Sequence, residues 1–292
     1  MVTTAALKAY CKSLGLTEVG IADHIPRPEK EDPICPLAAG KGPERYELTT
    51  VLPGCRSALV ILFPYKLPDA AGSNLSIYCQ IPDYHPVVRG YLAKIAAWIQ
   101  MQAPSSHTAC LVDTSPLAER LLAVQAGVGI LGDNGCVINT TYGSYCFIGA
   151  VLMDFPLEIS PPAKSGCLHC GRCAKACLGQ CFSTEGYAYH LCKSYLTQKK
   201  GELTTEEKNV MGKSSTIFGC DVCQTVCPLN RDAKNTPLPE FWESRIKRLS
   251  VEDLESLSNR EFRQKYGNYA FSWRGKQILL RNLALADHSK NV

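Results

Sequence analysis

The sequence lacks several features that would place it in other classes of protein. No apolar stretch approaches the ~18 residues that suggest a bilayer span. The N-terminal segment MVTTAALKAYCKSLG lacks the basic start and unbroken apolar stretch of a secretory signal. Internal repeats and low-complexity tracts are absent, and the formal net charge is only +4. We therefore expect a cytoplasmic protein with no membrane contact, and its charge alone neither requires nor excludes an anionic partner.

Cysteine, in contrast, is abundant. The chain has 16 cysteines in 292 residues, without a signal for export to an oxidising compartment. Because the cytosol keeps thiols reduced and a chain of this length can bury a core without disulfides, the cysteines favour metal or cluster ligation. The length is sufficient for about two domains.

Three regions differ in composition. Residues 1–160 alternate strand-like and helix-like stretches, which predicts an α/β layer domain. These stretches are 57–65, 87–102, 109–128 and 147–158. Residues 161–235 begin with a proline-containing linker and are cysteine-dense and rich in loops. Residues 236–292 read as a charged helical extension, in which the segment SVED (250–253) predicts a capped helix start.

Eight cysteines follow the pattern of a double-cluster ferredoxin. The run CLHCGRCAKAC has the spacing C-x2-C-x2-C-x3-C, in which three close cysteines hold one cluster and the fourth reaches the other. The predicted ligands of the first [4Fe–4S] cluster are Cys167, Cys170, Cys173 and Cys227. Those of the second [4Fe–4S] cluster are Cys177, Cys192, Cys220 and Cys223. Two such clusters form an electron relay in a bacterial ferredoxin-like domain.

Alternatives exist for this pattern. Two tetrahedral zinc sites would also use four thiolates each, although a run of three closely spaced cysteines is a poor zinc pattern. Cys181 lies four residues after Cys177 and competes with it as a ligand, and spacing favours Cys177. We expect the scattered remaining cysteines to be small buried hydrophobic residues. They are Cys11, Cys35, Cys55, Cys79, Cys110, Cys136 and Cys146.

The first domain should hold the cofactor or substrate that receives the electrons of this relay. Asp113 follows an apolar strand and precedes a helix, where α/β proteins place ligand-binding groups. An ordinary helix cap is the alternative, and spacing alone favours the cap. Tyr84 and His85 offer a proton donor and a titratable ring. The glycines of AGVGILGDNG lack the G-x-G-x-x-G order of a dinucleotide loop, so NAD is not indicated.

Five segments occur in order within residues 8–235: PDYHPVVRGYLAKIA, VDTSPLAERLLAVQAGVGILGDNGCVINTTYGSYCFIG, CLHCGRCAKAC, LCKSYLTQKKG and FGCDVCQTVCPLN. Together they closely resemble the epoxyqueuosine reductase family. The resemblance implies a cobalamin-binding α/β (α+β) domain of the nitroreductase and reductive-dehalogenase type, fused to the double-cluster domain. It also implies an enzyme that uses cobalamin to remove the epoxide oxygen of epoxyqueuosine at the wobble position of tRNA.

The resemblance assigns roles to individual residues. Asp113 matches the family's proton donor, and we expect an apolar pocket to keep its carboxyl protonated. Family contacts with cobalamin map onto this aspartate and onto Ser76, Val137, Ile148 and Asp221. Family contacts with substrate or RNA map onto Tyr84, His85, Lys199 and Lys200. An external donor such as a flavodoxin or a ferredoxin is expected to supply electrons.

The sequence departs from the family at three places. Asp133 stands where the family usually has lysine, and the segment IYCQIP lacks the basic residues common there, although Arg89 follows. The sequence ends at Val292, which predicts a short variant without the C-terminal helical-repeat domain. These departures leave two alternatives: a corrinoid reductase acting on a small molecule, and a ferredoxin-like electron carrier without cobalamin. The oligomeric state is not predicted.

Overall fold

The computed structural model of the chain describes residues 2–29, 34–68, 72–163, 166–183 and 186–287. Contacts divide the chain into two compact units. The first comprises Met1–Tyr65, Tyr84–Cys170 and Asp232–Leu238. The second comprises Lys66–Asp83, Gly171–Arg231 and Pro239–Val292. The three-part division drawn from the sequence remains a prediction. Within the described ranges, no helix is both long enough and apolar enough to cross a membrane.

Among the residues described, the first unit has a four-stranded antiparallel sheet, three α-helices and two short 3-10 helices, Pro43–Tyr46 and Leu48–Thr50. Its sheet strands are β1 (Val19–Ala22), β2 (Ser57–Pro64), β3 (Thr108–Val112) and β6 (Cys146–Met153). Their order across the sheet is β1-β2-β6-β3. A separate antiparallel pair is formed by β4 (Ile130–Leu131) and β5 (Val137–Ile138). The helices are α1 (Thr4–Ser13), α2 (Tyr84–Gln102) and α3 (Glu119–Gln125).

Strand β2 is buried along its whole length because side chains cover both faces of the sheet. Its even-numbered residues, including Val60 and Leu62, share a core with Leu122 of α3. On β6, a Cβ at Gly149 would lie 2.8 Å from the Phe63 ring and 2.9 Å from a methyl group of Val88 in α2. A strand buried on both faces reads as a continuous apolar run. This explains why residues 57–65 show no apolar-polar alternation.

The second unit is built from short helices and loops. Its helices are α4 (Arg172–Ala176), α5 (Lys193–Leu196), α6 (Thr205–Gly212), α7 (Val222–Thr225), α8 (Glu252–Glu255), α9 (Asn259–Tyr266) and α10 (Lys276–Asp287). A hairpin is formed by β7 (Phe182–Ser183) and β8 (Gly186–Tyr187). The capping box between Thr204 and Glu207 fixes the start of α6. A core of Phe218, Phe262 and Leu279 joins the cysteine-rich segment to the C-terminal helices.

The predicted elements are confirmed where the sequence pattern was strong. The four stretches predicted in the first region correspond to β2, α2, β3 with α3, and β6. Helix α2 begins at Tyr84, three residues ahead of the predicted stretch, because a helix tolerates Pro86 in its first turn. The SVED segment leads into α8, where Ser250 and Asp253 exchange hydrogen bonds between side chains and backbone N–H groups.

Candidate functional site

Asp113 lies at the end of an edge strand of the first unit. The last pair between β3 and β6 joins Val112 to Gly149, and Asp113 is the next residue. Its φ is 54°, in the left-handed region that non-glycine residues rarely adopt, and its side chain is 62% exposed. Helix α3 has Ala118 at its N-cap position. The interpretation of Asp113 as an ordinary helix cap is therefore wrong.

Tyr84 and His85 meet Asp113, although they lie far from it in the sequence. The Tyr84 hydroxyl donates a hydrogen bond of 2.6 Å to Asp113 Oδ2, and His85 Nε2 lies 3.5 Å from the same oxygen. The Tyr84 ring stacks on Phe147 of β6 with a centroid distance of 3.8 Å. Tyr84 and His85, which were predicted as a pair, thus form one polar cluster with Asp113, which we call the Asp113 cluster.

The surroundings of Asp113 lower its pKa. The hydrogen bond with His85 is the largest cause, and the Tyr84 hydroxyl adds to it against the opposing effect of burial. The expectation that an apolar pocket keeps Asp113 protonated is therefore wrong. Asp113 is a carboxylate at neutral pH, with the Tyr84 hydroxyl proton within hydrogen-bond distance.

Glu119 supports this cluster from α3, and the sequence analysis missed it. Its Oε2 accepts a hydrogen bond of 3.0 Å from the Asp113 backbone N–H, and its Oε1 accepts one of 2.6 Å from the Ser115 hydroxyl. Burial raises the pKa of Glu119 to about 7, against the lowering effect of the Ser115 bond. The available signal was an acidic residue six positions after Asp113 in the segment VDTSPLAE.

An apolar strip borders Asp113. Strand β6 begins at Cys146, but β3 pairs with it only from Gly149 onwards. The first three residues of β6, including Phe147 and Ile148, are half-buried, whereas the rest of the strand is buried. Val137 is buried in the core against which Ile148 packs. A half-exposed apolar strip beside a carboxylate fits the largely apolar edge of a corrin ring, so these residues suit the cofactor that the resemblance implies.

Ser76 and Asp221 are neighbours within the second unit. The Ser76 N–H donates to the Phe218 carbonyl, and the Ile77 N–H donates a 2.7 Å hydrogen bond to Asp221 Oδ2. Burial raises the pKa of Asp221 to about 6, against the lowering effect of that bond. Gly219 has a φ of 71°, and a Cβ there would lie 2.0 Å from Ser76 Oγ. Because the Ser76 side chain is buried and that of Asp221 is partly exposed, Asp221 is the more accessible of the two.

Cys177 and Cys192 both contact Cys181 in the second unit. Hydrogen bonding with Cys181 lowers the pKa of Cys177 and that of Cys192, and it raises the pKa of Cys181. Gly179 makes this approach possible, since a Cβ there would lie 1.9 Å from the Leu191 carbonyl oxygen. Cys181 is fully buried, whereas Cys177 is partly exposed, and the Cys181 backbone N–H donates a hydrogen bond of 3.4 Å to Cys177 Sγ. The assignment of Cys177 rather than Cys181 as ligand stays a prediction from spacing.

The other predicted ligands are spread over both units. Cys167 and Cys170 belong to the first unit, and the other six belong to the second. Helix α4, which carries Cys173, contacts α7, which carries Cys223. Eight cysteines as a donor set fit two [4Fe–4S] clusters.

The scattered cysteines do not all behave as expected. Cys11 and Cys79 are buried, as predicted. Cys110 is exposed because its position on β3 faces outward, so the prediction of a buried residue is wrong there. The remaining four are only half-buried, namely Cys35, Cys55, Cys136 and Cys146.

Lys193 is a second residue that sequence reasoning missed. It follows Cys192 directly and is only 2% exposed. Its Nζ donates hydrogen bonds of 2.7 Å to the Met211 and Ser214 carbonyls and one of 2.8 Å to the Ser214 hydroxyl. Burial lowers its pKa to about 8, and Cys220 opposes that effect. Its adjacency to a predicted ligand was the only available signal.

The two lysines predicted to meet RNA differ in the structure. Lys199 Nζ forms a 2.5 Å ion pair with Glu207, whereas Lys200 is exposed. Arg281 of α10 donates hydrogen bonds to the Lys199 and Gly201 carbonyls and holds this loop in place. Lys200 is therefore the more accessible of the two cations.

Asp133, which stands in place of the family's lysine, pairs with a histidine. Its Oδ1 lies 2.8 Å from His169 Nδ1, and with Cys167 these residues place three possible metal-ligating atoms within 4.8 Å of one another. Because Cys167 is a predicted cluster ligand, this group adjoins the predicted cluster site.

The α+β fold, the Asp113 cluster and the thiolate-rich segment define an iron–sulfur oxidoreductase. Residues 166–230 match the family described as "4Fe-4S double cluster binding domain". This match confirms two [4Fe–4S] clusters over the zinc alternative. Residues 45–114 match the family described as "Epoxyqueuosine reductase QueG, DUF1730".

A curated relative identifies the particular family. The epoxyqueuosine reductase of Bacillus cereus is 32% identical over 299 residues, which cover 95% of this chain and 78% of that protein. This chain therefore belongs to the epoxyqueuosine reductase family. The double-cluster match gives this chain two [4Fe–4S] clusters as cofactors.

Solved structures confirm the fold. A crystal structure of epoxyqueuosine reductase with an epoxyqueuosine-modified tRNA-Tyr stem loop has a TM-score of 0.85 and 27% identity, covering 98% of this chain and 80% of that one. The epoxyqueuosine reductase of Bacillus subtilis, with its catalytic aspartate loop swung out of the active site, has a TM-score of 0.81 and 26% identity, covering 98% of this chain and 81% of that one.

Proposed function

We propose that this chain reduces epoxyqueuosine in tRNA to queuosine. The observation that carries the proposal is the Asp113 cluster beside the half-buried apolar start of β6, in a chain that contains a double-cluster domain. Removal of the epoxide oxygen as water consumes two electrons and two protons. Each [4Fe–4S] cluster transfers one electron at a time, so the relay serves this stoichiometry.

Cobalamin, when bound, supplies a nucleophilic cobalt centre that delivers two electrons to the substrate. The residues of the first unit suited to hold it are Val137 and Ile148, through apolar contact. In the second unit, the family pattern adds Asp221, whose residue is partly exposed, and the Ser76 backbone next to it. These assignments follow the family pattern and the local fit described above.

Asp113 is the proposed acid for the departing oxygen. A carboxylate with a lowered pKa holds few protons by itself at neutral pH, so the proton must be shared with its neighbours. Tyr84 donates to Asp113 at 2.6 Å, and a protonated His85 would form an ion pair with it. An alkoxide is far more basic than any of these groups, so the proton passes to the oxygen as its bond breaks. Tyr84 and His85 act through Asp113 and position its carboxyl.

The proposed cluster ligands are those that the spacing predicts. The first set is Cys167, Cys170, Cys173 and Cys227, and the second is Cys177, Cys192, Cys220 and Cys223. All eight cysteines lie within residues 166–230, which match the double-cluster family. An external single-electron donor, such as a flavodoxin or a ferredoxin, supplies electrons to the clusters. Lys200 offers an exposed positive charge to the phosphates of the tRNA backbone.

The test is a turnover assay on an isolated tRNA stem loop that contains epoxyqueuosine. Protein purified anaerobically with cobalamin is given a chemical reductant, and queuosine is measured by mass spectrometry of the digested RNA. We expect Asp113→Asn to lose turnover by about 100-fold or more, with iron content and the cobalamin spectrum unchanged.

Asp154→Asn is a matched control. Asp154 forms a 2.8 Å pair with His107 at the opposite end of β3 and β6, and hydrogen bonding to His107 likewise lowers its pKa. This variant should keep full turnover. Absence of turnover by the unmodified chain, together with absence of stem-loop binding at low salt, would contradict the tRNA assignment. Uptake of cobalamin without RNA turnover would instead favour a small-molecule substrate, and failure to take up cobalamin would favour an electron carrier.

A further inference from the structure

A cleft in the second unit has a cationic rim. It lies between α4 and the segment from Thr225 to Arg231, and its volume is about 680 Å³. Its charged lining residues are Arg172, Lys175 and Arg231, and no acidic residue lines it. Arg172 and Lys175 are three positions apart on α4 and therefore share one face of that helix.

The three charges are available to a partner. All three side chains are exposed, and none forms an ion pair or a side-chain hydrogen bond with any residue that the structure describes. Some cations of this unit are engaged, since Lys199 pairs with Glu207 and Arg281 binds backbone carbonyls, but Lys200, Lys208 and Arg263 are exposed elsewhere on it. The cleft thus concentrates unpaired positive charge.

The same cleft reaches a predicted cluster ligand. Cys227 is one of its lining residues, together with the apolar Val226 and Pro228. Cys173, another ligand assigned to the same cluster, lies on α4 between Arg172 and Lys175. Electron transfer requires close approach of donor and acceptor, because tunnelling falls steeply with distance. A partner seated in this cleft would lie against one predicted cluster ligand, Cys227, and beside the helix that carries another, Cys173.

We propose that this cleft is the docking site for an acidic protein that carries single electrons and passes them to the cluster held by Cys173 and Cys227. The inference rests on the proposed function for the destination of the electrons. In each encounter the reduced carrier is oxidised by one electron and the 2+ cluster is reduced to 1+. Two encounters supply the two electrons that loss of the epoxide oxygen consumes.

An acidic carrier fits this surface better than RNA does. A small apolar floor with a charged rim matches the weak, electrostatically steered contacts of redox partners. Phosphates alone would make no use of Val226 and Pro228 or of the ligand position of Cys227. Binding of tRNA at this face is the competing outcome that the experiment separates.

The test measures the rate of cluster reduction in the holoenzyme, without any RNA. Reduced flavodoxin is mixed anaerobically with the oxidised holoenzyme, and bleaching of cluster absorbance gives a second-order rate constant. For the double variant Arg172→Glu with Arg231→Glu, we expect the rate constant at low salt to fall about tenfold or more. Its dependence on ionic strength should also flatten, and the neutral pair Arg172→Gln with Arg231→Gln should give an intermediate rate.

The matched control reverses two other exposed cations of the same unit, Lys208 and Arg263, to glutamate. It makes the same change in net charge, and its rate constant should stay within about twofold of that of the unmodified protein. Iron content, and the rate of reduction by methyl viologen radical, should be unchanged in all variants, which shows that the clusters are intact.

Two results would overturn the inference. One is equal loss of rate in the cleft variant and the control, which would indicate only a general effect of net charge. The other is an unchanged flavodoxin rate in the cleft variant together with weakened binding of a tRNA stem loop, which would assign the cleft to RNA. Because cluster reduction is measured without substrate, a failure of the tRNA assignment leaves this measurement interpretable.

Discussion

Replacement of Glu119 by glutamine should change how stability depends on pH. In the folded protein burial raises the pKa of Glu119 from 4.5 to about 7. At about 1.4 kcal/mol for each pH unit, this difference corresponds to about 3 kcal/mol of free energy of unfolding. Below pH 4.5 the carboxyl is protonated in both the folded and the unfolded chain. As the pH rises towards 7 the unfolded chain releases its proton first, and the folded state loses that stability.

Glutamine at this position imitates the protonated acid. Its amide oxygen can accept the hydrogen bond from the Asp113 N–H, and its amide N–H can donate to the Ser115 hydroxyl. The glutamine variant therefore does not lose free energy of unfolding at this position as the pH rises above 4.5. The Tm of the Glu119→Gln holoenzyme, measured anaerobically by thermal unfolding, should rise relative to that of the unmodified holoenzyme by about 6–12 °C between pH 4.5 and 8.

Glu207→Gln serves as the control with the opposite sign. Burial alone would raise the pKa of Glu207, but hydrogen bonds from Lys199 and from the Thr204 N–H lower it below 4.5. The stability that its ionised form contributes is present above pH 4.5 and is lost below it. The Tm difference between this variant and the unmodified protein should thus be constant from pH 5 to 8. A constant difference for Glu119→Gln over the same range would refute the reasoning about Glu119.

Three further substitutions test the remaining contacts. Cys177→Ala should remove about half of the iron, whereas Cys181→Ala should keep it, and equal iron loss in both would contradict the ligand assignment. Tyr84→Phe removes a hydrogen bond that lowers the pKa of Asp113. Because an acid must hold its proton to act, the limb of the pH–rate profile on which activity falls as Asp113 loses its proton should move to higher pH, and an unmoved limb would exclude that coupling. Lys193→Met leaves buried acceptors without their donor and should cost about 1–3 kcal/mol of unfolding free energy, measured by chemical denaturation; no loss would show that these bonds contribute little.

Patterns of apolar residues and cysteine spacing made it possible to predict much of the fold from the sequence. Residues 57–65 were recognised as a strand because a strand buried on both faces is apolar throughout. The cluster domain was recognised because thiolate ligands must recur at short spacings. The start of α2 was missed by three residues, since a proline near a helix start is compatible with either boundary.

The hydrogen-bond partners and protonation states of the site could not be predicted from the sequence in the same way. Tyr84 and Asp113 are 29 positions apart, and only the folded chain shows that the hydroxyl of one reaches the carboxylate of the other. Sequence reasoning therefore assigned Asp113 an apolar pocket and the wrong protonation state. Lys193 was missed for a related reason, because its partners Met211 and Ser214 lie on a later segment of the chain.

The two carboxyl groups of this site have opposite shifts because they differ in their donors. Asp113 accepts from Tyr84 and lies beside His85, so its ionised form is stabilised. Glu119 is more deeply buried, and the negative charge of Asp113 further raises its pKa. Environments that separate the pKa values of two neighbouring acids also separate their roles. Near neutral pH, the protonation state of Glu119 changes while its Oε2 accepts the hydrogen bond from the Asp113 N–H, and Asp113 remains charged and exposed. The strained φ of Asp113 is thus maintained by a group whose own charge changes in the pH range where the enzyme would work.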